Sequence, residues 1–267
     1  MMSGGIVLAL FAPIGLSGDM MLQIFLIVGI VLAVFAFICW AVYLGRLANK
    51  KRIEDFKQEA EAMGLTFTQL PLFSFADHYS HFKLFSRGRQ RQFSNLIEGD
   101  SGDVTLQIFD YQFTTGSGTQ TRKHAQTVTL LKSSQLNIPS LTIDPASIVS
   151  LIGSSMGFQD INFDSHPTFS KWFVLKGDNE EAIRNDLTPA TLEYFERQFL
   201  EHRRLTSLEA SGDTLFFYYA SAGRSAGRSA GRSGGRSGEK KCLIEAEEIK
   251  ELLARAYELF EILTAQT

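Results

Sequence analysis

The hydrophobic pattern of this chain is dominated by one run, Met21 to Leu44, which contains no charged residue. The hydrocarbon core of a bilayer is about 30 Å thick, and about 20 apolar residues in a helix cross it. Lipid offers no partner for backbone polar groups, which favours a helix. The run therefore predicts a transmembrane helix over residues 21–44, with Trp40 and Tyr43 at headgroup level near its C-terminal end.

The charges on either side of this span predict its orientation. Residues 1–20 contain no Lys or Arg. Four cations follow the span: Arg46, Lys50, Lys51 and Arg52. Because cytoplasmic flanks carry the excess of Lys and Arg, we expect residues 1–20 outside and the C-terminal domain in the cytoplasm, as in a single-pass protein of the bacterial inner membrane. Met20 directly precedes the run and Met21 begins it, so the sequence leaves the starting methionine open.

An apolar stripe on one helical face follows the span: Ile53, Phe56, Ala60 and Met63. With Gly64 as a stop signal, the stripe predicts an amphipathic juxtamembrane helix over residues 45–64 that packs on the domain or on a second copy. Within the span, Gly29 and Ala33 form a small-xxx-small pair, which would permit a homodimer through close helix packing.

From Gln92 onward, the pattern changes to the two-residue period of β-strands. Three segments predict an antiparallel meander: Phe93–Glu98, Val104–Phe113 and Gln126–Lys132. Residues 133–170 carry three prolines and are predicted to be irregular. Further strands are predicted at Lys171–Lys176 and in a hairpin, Leu205–Ala210 with Thr214–Ala220.

Capping signals predict where the helices of the domain begin. Asp178 with Glu181 marks one helix start, and Thr188 before Pro189 marks another. Cys242–Leu263 carries an apolar stripe that we expect to lie across one face of the sheet. The predicted class is α+β, with one N-terminal transmembrane helix and stalk, then a mainly antiparallel sheet packed with two to three helices. The domain is expected at 65–222, a low-complexity loop at 223–238 and the C-terminal helix at 239–267.

Composition removes several classes of function. The formal net charge is −3, which gives no global argument for a nucleic-acid partner. The two cysteines, Cys39 and Cys242, cannot build a disulfide framework or a thiolate zinc cluster. Gly116–Gly118 lacks the Lys and Ser/Thr of a phosphate loop, and the sequence contains no nucleophile elbow or dinucleotide fingerprint. We predict no cofactor, and the sequence favours a protein that is not an enzyme.

A short acidic and histidine cluster is the candidate for chemistry. Asp160, Asp164 and His166 lie close together in the sequence, and metal sites use carboxylate oxygens and imidazoles. They would serve a metal-assisted hydrolase, although Asp and His before a proline are also ordinary turn residues. His78 and His81 form a weaker pair, because their segment is not clearly helical.

Two groups of cations suggest anionic partners. Lys83, Arg87, Arg89 and Arg91, together with the cations after the span, would suit anionic lipid headgroups; the alternative is a solvated turn paired with nearby acids. The repeat SAGRSAGRSAGRSGGRSG at residues 221–238 is predicted to be a flexible linker. Nucleic-acid contact through its arginines is the less favoured interpretation, since no aromatic residues interleave them.

Four segments resemble an uncharacterised bacterial family whose members carry an N-terminal membrane segment before a domain of unknown function. They are FKLFSRGRQRQFSNLIEG (82–99), IFDYQFTTGSG (108–118), QTVTLL (126–131) and FQDINFDSHPTFSKWFVLKGDNEEAIRNDLTP (158–189). The last is also similar in layout to a larger membrane-anchored family of unknown function, matching at Asp164, Phe169 and Gly177–Pro189. The resemblance covers roughly residues 82–220 and implies a fold and an anchor but no activity; the arginine repeat departs from it.

Together these patterns predict a single-pass membrane protein whose cytoplasmic domain binds a protein or lipid partner at the bilayer. The metal-assisted hydrolase and nucleic-acid contact through residues 221–238 stay open as alternatives.

Overall fold

The computed structural model describes residues 18–71, 78–146, 160–202, 206–219 and 243–265. The chain divides into two compact units, residues 1–51 and 52–267, which are treated separately below. The helices are α1 (Gly18–Ala62), α2 (Lys83–Ser86), α3 (Pro167–Trp172), α4 (Glu180–Asp186), α5 (Pro189–His202) and α6 (Ile249–Thr264). The strands are β1 (Thr66–Thr68), β2 (Arg89–Ser101), β3 (Val104–Thr115), β4 (Arg122–Ser133), β5 (Ile138–Pro145), β6 (Phe173–Gly177), β7 (Thr206–Gly212) and β8 (Thr214–Tyr219).

The described part of the first unit is helical, because the uncharged run can satisfy its backbone groups only internally. The second unit is built on an antiparallel sheet, with eight strands among the described residues, in the order β1-β2-β3-β4-β8-β7-β5-β6. Several helices pack against this sheet, so the predicted α+β class with a long N-terminal apolar helix is confirmed.

The alternation along β3 explains why the sheet is buried on both faces. Val104, Leu106 and Ile108 point to one side of the strand and Phe109 and Tyr111 to the other, since successive side chains in a strand alternate. All five are buried. Apolar residues on both faces are typical of a central strand.

The two faces carry different cores. The first core lies under residues 52–62 of α1 and under helices α3 to α6; it is mainly aliphatic, and Phe56 and Ala60 are fully buried in it. The second core is aromatic and lies under α2, whose Leu84 and Phe85 are buried. Its rings include Tyr111 and Phe216, whose centroids lie 5.1 and 4.9 Å from that of Phe85.

Two segments differ from their predictions. Lys171 and Trp172 end helix α3 instead of starting a strand, because Pro167 opens a helix at its first turn and β6 begins only at Phe173. The region predicted to be irregular contains β5, which lies between β7 and β6. Its prolines, Pro139 and Pro145, lie near the two ends of the strand, where a missing N–H disrupts the hydrogen-bond ladder least.

The other predicted elements lie close to their expected positions. The meander is present as β2, β3 and β4, and the later hairpin as β7 and β8. Helix α4 is capped by Asn179, whose side chain accepts a hydrogen bond from the Ala182 N–H at 3.1 Å, one residue after the expected cap. Helix α6 places Leu252, Ala256 and Leu259 in the first core. The predicted loop at 223–238 lies outside the described residues.

Candidate membrane anchor and basic surface

Helix α1 exposes the large apolar side chains of its membrane-length segment. Phe25, Phe35 and Phe37 are each more than 60% exposed. Among the described residues, one helix is long and apolar enough to cross a membrane, judged by length and composition. Exposed apolar surface on this scale needs a covering phase or partner, since soluble monomers rarely present it.

The residues predicted to mark the membrane interface lie at the C-terminal end of this apolar surface. Trp40 and Tyr43 are exposed, with 57% and 59% of their surface accessible. Arg46, Lys50 and Lys51 are also exposed on α1. Their contact with headgroups stays a prediction, as does the homodimer through Gly29 and Ala33.

Arg52, predicted with these cations, has a different environment inside the second unit. Its guanidinium donates to both carboxylate oxygens of Asp110, at 2.6 and 3.1 Å. The two side chains are only 10% and 3% exposed. The guanidinium also lies 4.2 Å from the ring centroid of Phe56. A buried, bidentate pair of this kind is a structural link, because removing one partner leaves an uncompensated charge in the interior.

Further hydrogen bonds complete the environment of Asp110. The side chains of Asn95 and Thr127 each donate to its carboxylate at 2.8 Å. Thr127 in turn accepts from the Ile244 N–H at 3.1 Å, and the Ile244 carbonyl accepts from Arg52 Nε at 2.9 Å. This Arg52–Asp110 cluster therefore joins five separate stretches of chain: α1, β2, β3, β4 and the segment before α6.

The four cations proposed for lipid contact have unequal surroundings. Lys83 donates to Asp144 at 3.2 Å. Arg91 donates to the carbonyls of Ser86 and Arg87, which holds the turn before β2. Exposed Arg89 donates to the Gly116 carbonyl at 2.6 Å, which ties β2 to the turn between β3 and β4. Much of this group therefore has a structural role as well as a charge.

The strand register adds two cations that sequence reasoning did not assign to this surface. In β3, Thr114 is paired with Arg89 on one side and with Lys123 on the other. Arg122, the residue before Lys123 in β4, is paired with Thr115 of β3. Both Arg122 and Lys123 are exposed. We call Arg87, Arg89, Arg91, Arg122 and Lys123 the basic end of the sheet.

His124 lies beside this basic end but differs in burial and charge. Its ring stacks on Phe113 with 4.6 Å between centroids, and its Nε2 lies 2.8 Å from the Thr115 hydroxyl oxygen. Burial lowers the pKa of His124 below the ordinary 6.5, and Arg87 and Arg122 lower it further. The imidazole is therefore neutral near pH 7, and the positive charge of this end comes from Arg and Lys.

A buried polar group lies on the aromatic face of the sheet. Glu209 is 2% exposed and accepts from the Tyr218 hydroxyl at 2.8 Å and from the Leu84 N–H at 3.2 Å. Its neighbour Asp144 accepts from the Ser207 hydroxyl at 2.7 Å. Burial raises the pKa of Glu209, although the hydrogen bonds from Tyr218 and Leu84 act in the opposite direction. These bonds hold α2 on the second core.

The acidic and histidine candidates have structural neighbours. Asp160 accepts from the Leu175 N–H at 3.1 Å, and burial raises the pKa of this carboxyl. Asp164 is exposed in a turn, and His166 lies just before α3 with its Nδ1 3.0 Å from the Ser165 hydroxyl oxygen. No group of three or more His, Cys, Asp or Glu that could hold a metal ion occurs in the described ranges.

The histidines at positions 78 and 81 are engaged by aromatic rings. His78 lies edge-on to Tyr79 at 4.7 Å, and His81 lies 4.2 Å from Phe82, centroid to centroid. Both imidazoles are exposed. Both precede α2, and of the rings they contact Phe82 belongs to the second core and Tyr79 packs against it.

Comparison with known proteins supplies a fold but no activity. No protein-family model and no curated protein matches the chain. A solved structure described as the mycobacterial trehalose monomycolate transport factor A, TtfA, matches 79% of this chain and 96% of its own, with a TM-score of 0.50 and 10% identity. At that identity the likeness establishes a similar fold alone.

Proposed function

We propose that this chain is a single-pass membrane protein whose second unit binds a protein or lipid partner at the bilayer surface. The observation that carries the proposal is the exposed apolar surface of α1, which is long enough to span. The buried Arg52–Asp110 cluster supports it, because it fixes the start of the second unit just after the apolar run.

We further propose that the second unit lies in the cytoplasm of a bacterial cell and residues 1–20 outside. The support is the charge difference between the flanks, since Arg46, Lys50 and Lys51 follow the span and residues 1–20 have no Lys or Arg. The protein with the similar fold is described as a transport factor. By analogy of fold only, we propose an accessory role in a membrane process and no chemical reaction.

The anchor is tested by alkaline extraction of membranes from cells producing the full-length chain. We expect the full-length protein to stay in the membrane pellet and a variant lacking residues 1–44 to be released. Release of the full-length protein would refute the anchor. The truncated variant also serves as the control for aggregation, because an aggregated domain would pellet without membranes.

Partner binding is tested by cross-linking in cells, followed by capture in detergent and mass spectrometry. The matched control is a chain of residues 1–51 fused to an unrelated soluble domain. A partner of the second unit should be enriched by the full-length chain only. Equal enrichment by both baits would contradict a binding role for residues 52–267.

A further inference from the structure

The charged residues of the β2–β3–β4 meander are separated by sign along the strands. The basic end lies where β2 and β4 begin and β3 ends. The opposite end carries Glu98, Asp100 and Asp103, with Asp213 in the turn that follows β7. Lys132 lies at that acidic end and pairs with Asp213 at 3.5 Å.

The basic end draws on stretches of chain that contain no carboxylate. Residues 79–97 and 111–143 include no Asp or Glu. Neighbouring strands are about 4.8 Å apart, so Arg89 and Lys123, one on each side of Thr114, are separated by about 10 Å. Several cations therefore lie within this distance, and the two stretches of chain that carry them contain no Asp or Glu.

The contacts of residues 52–66 show how the start of the second unit crosses the sheet. Arg52 contacts Asp110, six residues from the start of β3, and the chain then runs past buried Phe56 to Leu65. Thr66, the next residue, pairs with Glu98 near the acidic end. Residues 52–66 therefore run from the centre of the sheet toward its acidic end.

The short tether limits how far the second unit can lie from the bilayer. Only residues 45–51 separate the apolar run from Arg52. Seven residues reach at most about 25 Å even when fully extended. Any arrangement of the two units therefore keeps Arg52 within that distance of the end of the span.

We infer that the basic end of the sheet docks on the anionic phospholipid headgroups of the membrane that holds α1. The inference rests on the proposed function and identifies its lipid partner. Each cation near an anionic surface strengthens attraction by about fivefold. The acidic end is repelled by the same surface, so the charge separation orients the sheet with its basic end toward the lipid.

The test uses the full-length protein in nanodiscs, once with phosphatidylcholine alone and once with about one third phosphatidylglycerol. Hydrogen–deuterium exchange is measured on peptides that cover residues 87–91 and 113–124. We expect slower exchange of these peptides in the anionic discs and no change at residues 98–104. Raising the salt should abolish the difference, since the Debye length falls to about 3 Å at ~1 M.

Two lysines on the same strand provide a matched pair of variants. Lys123→Gln should reduce the protection by about fivefold, and Arg122→Gln with Lys123→Gln by about 25-fold, whereas Lys132→Gln at the acidic end should leave it unchanged. The series is repeated without residues 223–238, so that the arginines of the repeat make no contribution. Lys123 is exposed and Lys132 is half-buried beside Asp213, and neither side chain belongs to a core.

Two outcomes are separable. If the protein stays in the discs but exchange is the same in both lipids, or Lys132→Gln acts as strongly as Lys123→Gln, the docking inference is wrong and the anchor stands. If the full-length protein fails to remain with the discs, the proposed function itself is wrong.

Discussion

The Arg52–Asp110 pair determines how the start of the second unit is fixed to its sheet. Arg52→Met keeps an unbranched apolar stem but removes the guanidinium, which leaves the Asp110 carboxylate buried without its cation. We expect a loss of about 3–5 kcal/mol in the free energy of unfolding. Denaturant titration of the detergent-solubilised full-length protein, followed by circular dichroism, measures this loss.

A second cation on the same helix provides the control. Lys57 is exposed and faces Glu61 at 3.9 Å, so Lys57→Met should cost less than about 0.5 kcal/mol. Combining Arg52→Met with Asp110→Asn should cost less than the two single changes added together, because the uncompensated charge is gone. Additive losses would mean that the pair contributes no coupling.

The buried carboxyl of Glu209 should give the domain a distinct pH dependence. Its pKa is raised above the ordinary 4.5, so the folded state retains this proton to a higher pH than the unfolded state does. The contribution of Glu209 to stability therefore falls as the pH rises from 4.5 through the raised value. The melting temperature of Glu209→Gln should therefore fall less than that of the wild type as the pH rises across this range.

Glu209→Ala distinguishes titration from hydrogen bonding at the same position. It removes the acceptor for the Tyr218 hydroxyl and the Leu84 N–H, so a loss of about 1–3 kcal/mol should be present at every pH. A pH dependence identical in the wild type and Glu209→Gln would contradict the assignment.

The Arg52–Asp110 pair shows which part of a buried ion pair can be predicted from the sequence. Arg52 was grouped with Lys50 and Lys51 because it follows them directly, but its partner lies 58 positions away. A carboxylate between two aromatic residues in a buried strand, as at Asp110, was a usable signal for a buried partner. The identity of that partner could not be deduced, because it depends on how α1 packs across the sheet.

Among the elements, the turn that leads into β2 controls the position of the basic end. Gly88 has a φ of +64°, and a Cβ there would lie 2.5 Å from the Thr114 carbonyl oxygen and 2.9 Å from Phe113 Cδ2. Gly88→Ala should therefore destabilise the protein by more than backbone strain alone, which costs about 1–2 kcal/mol. The measurement is the same denaturant titration.

Gly102, in the turn between β2 and β3, isolates the contribution of backbone strain. Its φ is +60°, but a Cβ there would meet no atom within 4 Å. Gly102→Ala should cost only the strain of a left-handed alanine, about 1–2 kcal/mol. Equal losses at positions 88 and 102 would mean that the contact with Thr114 is relieved by local movement.

Among the secondary-structure elements, the meander and the later hairpin were predicted from periodicity, because apolar alternation and turn residues are local signals. It missed β5, since only Leu141 and Ile143 give a strand-like alternation between two prolines. The basic end was found only in part, because Arg122 and Lys123 join Arg89 through strand register and not through sequence proximity. Such pairings depend on long-range contacts, which a local pattern does not encode.

At the scale of the whole molecule, the charges beside the apolar run and the charge separation of the sheet favour the same side of the membrane for the second unit. A domain that approaches anionic lipid must lie on the leaflet whose surface is negative, and the cytoplasmic leaflet carries that potential. The Lys and Arg that follow the span favour the same side. The flanking charges and the proposed docking of the basic end therefore agree with the proposed cytoplasmic placement of the second unit.

This agreement gives a prediction about topology. A cysteine at exposed Ser117, in a chain whose Cys39 and Cys242 are replaced by serine, should resist a membrane-impermeant thiol reagent in intact cells and react after lysis. Replacing Arg46, Lys50 and Lys51 by glutamine and adding three lysines before residue 18 should weaken this bias, because the excess of cations then lies on the other flank. We expect part of the population to label in intact cells. If the cysteine at position 117 is labelled in intact cells when the flanks are unmodified, the second unit lies outside. The basic end could then not dock on the cytoplasmic leaflet.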